Sequence, residues 1–303
     1  MDEKTPLVTI SVITYNSSLT VIETLESIKA QTYQNIELIV SDDCSTDDTV
    51  ELCQKWLEDN KHRFSSTQLL TVPKNTGVSA NGNRAKKASH GEWVKGMAGD
   101  DLLLPNCIQD NIDFVEKHPD AIYVWSRCKS FGMDAERCAE MDAYYNYDFF
   151  SWSPQEQYDY LTLVGNCIPA VSVFGNRKKI EELGIINDER IPLLEDQPKW
   201  VNLIKKGVKL YFMDKLTVMW RLSEKGLFSS GNPSLAFQKS NALFYIYYGF
   251  PNDFKKNPKM AIWRYLNQKI FITESMFWKI IAKIYKIGIM HESKYFRKFK
   301  KSK

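Results

Sequence analysis

Short stretches rich in β-branched and aliphatic residues alternate with helical spacing along the first hundred residues of the chain. Residues 8–13 and 36–40 are nearly unbroken apolar stretches, which is typical of strands buried on both faces. Residues 69–72 and 92–97 predict two further strands, and residues 19–31 place their apolar side chains on one face of a helix. The order of strand and helix predicts an α/β fold with a mostly parallel sheet.

Polar pairs follow three of these predicted strands. They are Tyr15 with Asn16, Asp42 with Asp43, and Asp100 with Asp101. The carboxyl ends of parallel strands share one edge of the sheet, and ligands bind beyond that edge in such folds. Each acidic pair alone has two interpretations, a helix start or a binding site for a cation or a nucleoside. Their predicted common edge favours a binding site.

The pattern changes after Pro105, where helices and strands are mixed with aromatic segments. Residues 170–174 and 208–212 predict strands, and residues 195–206 predict a helix that opens on Glu195 and Asp196. These two carboxylates either stabilise the helix dipole or include a general base. The aromatic residues 144–152 either line a pocket or pack in the core.

Charge divides the chain into two opposite regions. The formal net charge is only +3, which argues against a nucleic-acid binder that relies on bulk charge. From Phe254 onward, however, 14 basic residues face 2 acidic ones, a net charge of +12, so the preceding residues carry −9. Residues 277–286 have helical spacing, with lysines on one face and apolar residues on another. This helix either packs on the core or contacts an anionic membrane surface.

Cysteine use and the absence of long apolar runs predict a cytoplasmic location. The 6 cysteines form no C-x-x-C pair, which disfavours a zinc site and favours buried thiols in a reducing compartment. The first residues are polar, and no stretch reaches the length of a membrane-spanning helix. With the basic C-terminal residues, this predicts a peripheral protein on the inner face of the cell membrane.

Several short motifs, in order, give the chain a resemblance to a known family. They are residues 8–16, 39–47, 75–79 with Asn83, 91–94, 98–101, and 194–196 with Trp200. Together they resemble the family 2 glycosyltransferases of GT-A fold, over about residues 6–221. The resemblance implies a nucleotide-sugar-binding half at 1–105 and an acceptor-side half at 106–222. Residues 223–303 would form a basic, amphipathic helical region.

The resemblance also implies roles for individual residues. Tyr15 would pack on the nucleotide base and Asp43 would hydrogen-bond it, with Asp42 in support. Asp101 would hold a divalent Mn²⁺ or Mg²⁺ ion, and Asp100 would face the ribose or sugar. Asp196 would be the catalytic base. The remaining implied site residues are Thr14 and Asn16 beside the nucleotide, Asn83 on the donor side, and Glu195 and Trp200 beside Asp196.

The implied reaction is a single displacement that inverts the anomeric carbon of a nucleotide-diphosphate sugar, with a UDP-sugar favoured. The acceptor would be a glycan or a lipid-linked molecule in the synthesis of cell-surface polysaccharide. The Gln-x-x-Arg-Trp motif of processive members is absent, which favours transfer of one sugar. A nucleotidyltransferase and a catalytically inactive sugar-nucleotide-binding module are the alternatives.

Two positions depart from the pattern of the family. Ala98 occupies a position that is often acidic, so the acidic cluster is one carboxylate short. The usual Ala-Arg-Asn is replaced by Asn81-Gly82-Asn83, so the donor-side arginine is missing unless Arg84 or Lys86 substitutes for it.

Overall fold

The first half of the chain builds the parallel part of one sheet. The structure, a computed structural model, describes residues 5–223 and 234–285. Strands β1 (Val8–Thr14), β2 (Ile36–Asp42), β3 (Ser66–Leu70) and β4 (Trp93–Ala98) pair in parallel in the order β3-β2-β1-β4. The crossover helices are α1 (Val21–Lys29), α2 (Thr49–Asn60) and α3 (Val78–Ala88). The predicted α/β fold is confirmed.

The second half extends the same sheet to eight strands. Strands β5 (Leu102–Leu103), β6 (Tyr123–Phe131), β7 (Phe174–Asn176) and β8 (Tyr211–Arg221) complete the order β3-β2-β1-β4-β7-β6-β8-β5. Strand β7 is antiparallel to both β4 and β6, whereas β6 and β8 are parallel. The helices are α4 (Cys107–Lys117), α5 (Ala135–Tyr144), α6 (Pro154–Leu163), α7 (Arg177–Glu182) and α8 (Gln197–Lys205).

Two predicted strands in this half have different bounds in the structure. Residues 170–172 form a 3₁₀ turn, and β7 begins only at Phe174. The carbonyl oxygens of Val171 and Val173 accept hydrogen bonds from the buried ammonium of Lys95, at 2.5 and 3.2 Å, which keeps them from a strand ladder. The strand predicted at 208–212 begins at Tyr211 and continues to Arg221.

Two apolar clusters hold the halves together. The first packs β1, β2 and β4 against α1, α2 and α4. The second centres on Trp125 and Trp200, whose rings meet edge to face at 4.8 Å between centroids. It also takes in Phe237 and Phe244 of α9 (Leu235–Phe244), so the C-terminal helices pack on the second half of the sheet.

The C-terminal helices continue through α10 (Phe250–Lys256) and α11 (Pro258–Thr273). Helix α11 ends at Glu274, whose φ of 55° breaks the helix, and residues 276–285 are helical again. The helix predicted over 277–286 is therefore observed as far as residue 285. Lys286 and the basic residues after it lie outside the described residues, as do residues 224–233.

A close approach of two strand ends requires glycine at position 91. A Cβ atom there would lie 2.4 Å from the backbone nitrogen of Thr9 and 2.8 Å from the carbonyl oxygen of Trp93. Backbone atoms cannot move aside easily, so Gly91→Ala should lower the free energy of unfolding by about 1–3 kcal/mol. Urea denaturation followed by circular dichroism would measure the change.

Gly96→Ala is the matched control, because its Cβ would meet only the Ser11 hydroxyl at 3.7 Å. It should change the free energy of unfolding by less than about 0.5 kcal/mol. Equal effects of the two substitutions would contradict the steric argument.

Candidate active site

A cleft of about 1600 Å³ opens at the carboxyl ends of β1 and β4 and continues between α3 and α8. Most of the site residues predicted from the sequence line it, although they come from both halves of the chain. The lining members are Thr14, Tyr15, Asn16, Asp43, Asp100, Asp101, Glu195, Asp196 and Trp200. Asp42 and Asn83 are not among the lining residues.

Asp42 lies behind the lining of the cleft and supports it through hydrogen bonds. Its buried carboxylate accepts hydrogen bonds from the Thr14 hydroxyl at 2.8 Å and from the backbone N–H of Ser45 at 2.8 Å. The Asn16 side chain in turn accepts from the backbone of Thr46 at 2.8 Å. These bonds tie the end of β1 to the loop after β2, and they leave the Tyr15 ring half-exposed in the cleft.

Asp43 braces the loop before α3. Its carboxylate accepts from the backbone N–H groups of Thr76 and Gly77, at 2.9 and 2.7 Å, and from the Arg84 guanidinium at 3.1 Å. Arg84 also donates to Asn81 at 2.7 Å. These bonds fix the buried Asp43 carboxylate in the cleft wall. They also hold the Arg84 guanidinium against that wall.

Asn83 has a different position from the one expected for a donor-binding residue. Its amide nitrogen donates to the carbonyl oxygen of Asn187 at 3.0 Å, and its amide oxygen accepts from the Asn187 N–H at 2.9 Å. The side chain therefore anchors the loop that leads to α8, because it lies on the face of α3 directed at the second half. Asn81 and Gly82, which directly precede it in α3, line the cleft.

Asp100 and Asp101 form a tight turn between β4 and β5. Burial, together with the charge of Asp100, raises the pKa of Asp101 well above its usual range, and burial likewise raises the pKa of Asp100. Arg221 opposes both shifts: its backbone N–H donates to Asp101 at 2.9 Å and its guanidinium to the Asp100 carbonyl oxygen at 2.7 Å. The sequence offered no signal for Arg221, which lies 120 residues away.

The buried acidic pair fits a divalent cation of the Mg²⁺ class. Such an ion usually takes one or two carboxylates and completes its coordination with water and substrate phosphates. No cluster of three or more metal-ligating side chains occurs within residues 5–223 and 234–285. Two carboxylates without a third agree with alanine at position 98.

Glu195 and Asp196 line the cleft at the start of α8, which Asp196 caps. The Asp196 carboxylate accepts from the backbone N–H of Gln197 at 2.6 Å and from the Asn166 amide, which no sequence motif indicated. Burial and the neighbouring Asp196 raise the pKa of Glu195 to about 7. Burial also raises the pKa of Asp196. A carboxylate with a raised pKa is a suitable proton acceptor near neutral pH.

Lys199 and Trp200 complete this side of the cleft. The Lys199 ammonium, one turn after Asp196, donates to Asn187 at 3.2 Å and opposes the raised pKa values of both carboxyl groups. The Trp200 side chain is fully buried against Trp125, so it positions α8 through packing. The cleft therefore brings together two acidic pairs and a half-exposed aromatic ring.

Known proteins share this architecture. The UDP-Glc:alpha-D-GlcNAc-diphosphoundecaprenol beta-1,3-glucosyltransferase WfaP of Escherichia coli is 26% identical over 239 residues, which cover 78% of this chain and 85% of that protein. The crystal structure of S. aureus TarS 1–349 in complex with UDP-GlcNAc superposes with a TM-score of 0.62 at 18% identity, covering 87% of this chain and 72% of that chain.

A second structure gives the same fold. Mannosyltransferase PcManGT from Pyrobaculum calidifontis, in complex with GDP-Man and Mn²⁺, has a TM-score of 0.57 at 16% identity and covers 98% of this chain and 84% of that chain. At the level of sequence, the family model described as Glycosyl transferase family 2 matches residues 9–182, more than half of the chain. The chain therefore belongs to glycosyl transferase family 2.

Proposed function

We propose that this glycosyltransferase moves one sugar from a UDP-sugar to a hydroxyl group of a glycan or lipid-linked acceptor, with inversion of the anomeric carbon. The observation that carries the proposal is the pairing, in one cleft, of the partly buried Asp100 and the buried Asp101 with the raised-pKa carboxylates Glu195 and Asp196. The first pair supplies the charge to hold a cation and a diphosphate. The second supplies a proton acceptor.

The donor end of the cleft is the side formed by β1 and the loops around it. The half-exposed Tyr15 ring stacks on the base, while Asp43 lies in the adjoining wall and Thr14 and Asn16 shape its floor. A uridine nucleotide is supported by two similar proteins, because WfaP is named for UDP-Glc and TarS binds UDP-GlcNAc.

Asp196 is the general base of the proposed reaction. Its carboxylate removes the proton from the acceptor hydroxyl, whose oxygen attacks the anomeric carbon as the bond to the diphosphate breaks. Attack from the face opposite the leaving group inverts the configuration. The Asn166 amide and the Gln197 N–H orient the Asp196 carboxylate, and Glu195 and Lys199 set its surrounding charge.

Asp101, supported by Asp100, would hold a Mn²⁺ or Mg²⁺ ion. When bound, such an ion neutralises the negative charge that develops on the departing diphosphate. Mn²⁺ in the similar PcManGT structure supports this class of cofactor.

The physiological setting we propose is polysaccharide synthesis at the inner face of the cell membrane. The described part of the chain contains no helix that is both long and apolar enough to cross a bilayer. Residues 276–285 instead bury Ala282 and expose an apolar row, Met276, Phe277, Ile280 and Ile284, at 54–69% of each side chain. Because the core does not cover this row, we favour contact of this helix with a membrane surface over packing of the helix on the core.

The donor and the metal can be tested together. With Mn²⁺, the protein should release UDP from a UDP-sugar in a panel that also contains GDP- and dTDP-sugars, and a chelator should stop the release. Asp101→Asn should lower the rate by roughly 100-fold or more, because charge on the diphosphate is no longer neutralised. Asp214→Asn, an exposed aspartate outside the cleft, should leave the rate unchanged. Absence of nucleotide release from the whole panel, with lipid acceptors present, would refute the proposed activity.

Transfer should depend on pH through the Glu195 and Asp196 pair. The base works only when deprotonated, so activity should be lost as the pH falls through the pKa of Asp196, which burial raises above its usual range. Lys199→Met removes a cation that favours the charged carboxylates and should move this acid limb up by about one pH unit. Lys199→Arg should restore it.

Measurements of kcat/KM between about pH 5 and pH 9 would show the shift. Asp196→Asn should abolish transfer at every pH while donor affinity stays close to wild type. An acid limb at the same pH in Lys199→Met and wild type, or equal loss of transfer and donor affinity in Asp196→Asn, would contradict the assigned roles.

Membrane binding can be tested on the apolar row. Replacing Phe277, Ile280 and Ile284 together by Gln should abolish co-sedimentation with vesicles that contain phosphatidylglycerol. Changing Lys279 and Lys283 to Gln should weaken vesicle binding at low salt, with a loss of about 1 kcal/mol of binding free energy for each lysine. A Val164→Gln and Leu235→Gln variant removes other exposed apolar side chains and should bind normally. Unchanged co-sedimentation of the triple variant would exclude docking through this helix.

A further inference from the structure

Two aromatic rings in the cleft are open to solvent, and only one has a place in the proposed donor site. Among the described lining residues, Tyr15 is 50% exposed and Tyr144 is 48% exposed. Of the other aromatic residues that line the cleft, Tyr123 and Trp200 are buried, and Tyr145 and Trp220 are partly buried. Tyr15 lies at the donor end, so Tyr144 is an exposed ring without an assigned ligand.

The neighbours of Tyr144 fix its place without covering it. It is the last residue of α5, and its ring meets Tyr145 edge to face at 5.9 Å between centroids. Tyr145 in turn packs on Trp220 of β8 at 5.5 Å. The Tyr144 hydroxyl makes no hydrogen bond to any residue within 5–223 or 234–285. Both the exposed part of the ring and the hydroxyl group are therefore available to a ligand.

The aromatic residues of this segment after Tyr145 are used for packing. Phe149 is fully buried, and Phe150 stacks on Phe212 at 5.0 Å between ring centroids. Trp152 packs on Phe149 at 5.4 Å. The two interpretations of residues 144–152 therefore apply to different members: Tyr144 and the partly buried Tyr145 line the cleft, and the others pack in the core.

Tyr144 and the proposed base Asp196 line the same cleft. Partial burial of Tyr144, the nearby Tyr160 and then the charge of Asp196 raise the pKa of its phenol. Asn166, whose amide donates to the Asp196 carboxylate, also lines the cleft. An acceptor that rests on the Tyr144 ring would thus share the cleft with Asp196 and Asn166.

The chemistry of this place suits a sugar ring. One face of a pyranose presents a patch of C–H groups that packs well on an aromatic face, while its equatorial hydroxyls need polar partners at the edge. A plain alkyl or glycerol chain has no such flat face. We propose that Tyr144 is the platform of an acceptor subsite that binds a pyranose ring, so that the attacking hydroxyl belongs to a sugar. This inference rests on the proposed transfer reaction and on Asp196 as its base.

Saturation-transfer NMR on the full chain tests this subsite with simple sugars in place of the natural acceptor. The probes are methyl glucopyranosides and methyl N-acetylglucosaminides of both anomers, with glycerol and 1-O-methylglycerol as non-sugar compounds, all in the presence of UDP and Mn²⁺. We expect saturation of the ring protons of a pyranoside, strongest on one face, and none of glycerol. Tyr144→Ala should weaken pyranoside binding about ten-fold, whereas Tyr144→Phe keeps the ring and should bind as wild type.

Two controls separate the subsite from other effects. Tyr247→Ala removes a tyrosine that is 40% exposed outside the cleft and should change nothing. UDP affinity, measured by calorimetry, should be equal in wild type and Tyr144→Ala. The inference is overturned if no pyranoside is saturated by wild type, if glycerol binds as well, if Tyr144→Ala binds pyranosides normally, or if UDP and pyranoside affinity fall together. Pyranoside binding without any nucleotide release would instead refute the transfer reaction alone.

Discussion

The contact between Arg221 and the buried acidic turn is the constraint on which the rest of the site depends. Two adjacent carboxylates out of water repel each other and lose solvation, so they need fixed donors or a cation. Arg221 supplies a backbone N–H to Asp101 and a guanidinium to the Asp100 carbonyl oxygen, and it also pairs with Glu23 of α1. Because Arg221 is the last residue of β8, these bonds require the second half of the sheet to close over the first.

That closure sets the electrostatics of the cleft. The acidic turn meets Arg221, whereas the Glu195 and Asp196 pair on the other wall meets Lys199 and the N–H of Gln197. Both pairs keep raised pKa values despite these partners, because burial exceeds what the partners offset. Each pair therefore binds a proton, or a cation in its place, more readily than an exposed carboxylate does.

The parallel strands and the polar residues at their ends could be predicted because both depend on local sequence. Buried parallel strands require unbroken apolar runs such as residues 36–40, and the turn after each run carries its polar side chains to one edge. Residues 170–174 have the same apolar character, yet Lys95, distant in sequence, takes the carbonyl groups that a strand would use. Asn83 matched a motif, but the direction of its side chain depends on how α3 meets the loop at Asn187.

The sequence by itself determined the α/β order, the acidic pairs and the opposite charges of body and C-terminal region, since these follow from residue type and spacing along the chain. Only the tertiary structure decided which residues support the acids, which members of the aromatic segment line the cleft, and which face of residues 276–285 stays uncovered. Arg221, Asn166 and Tyr144 act across long sequence separations, and such contacts leave no local periodicity. Whether a side chain packs or binds depends on which neighbours cover it, and that is a property of the folded chain.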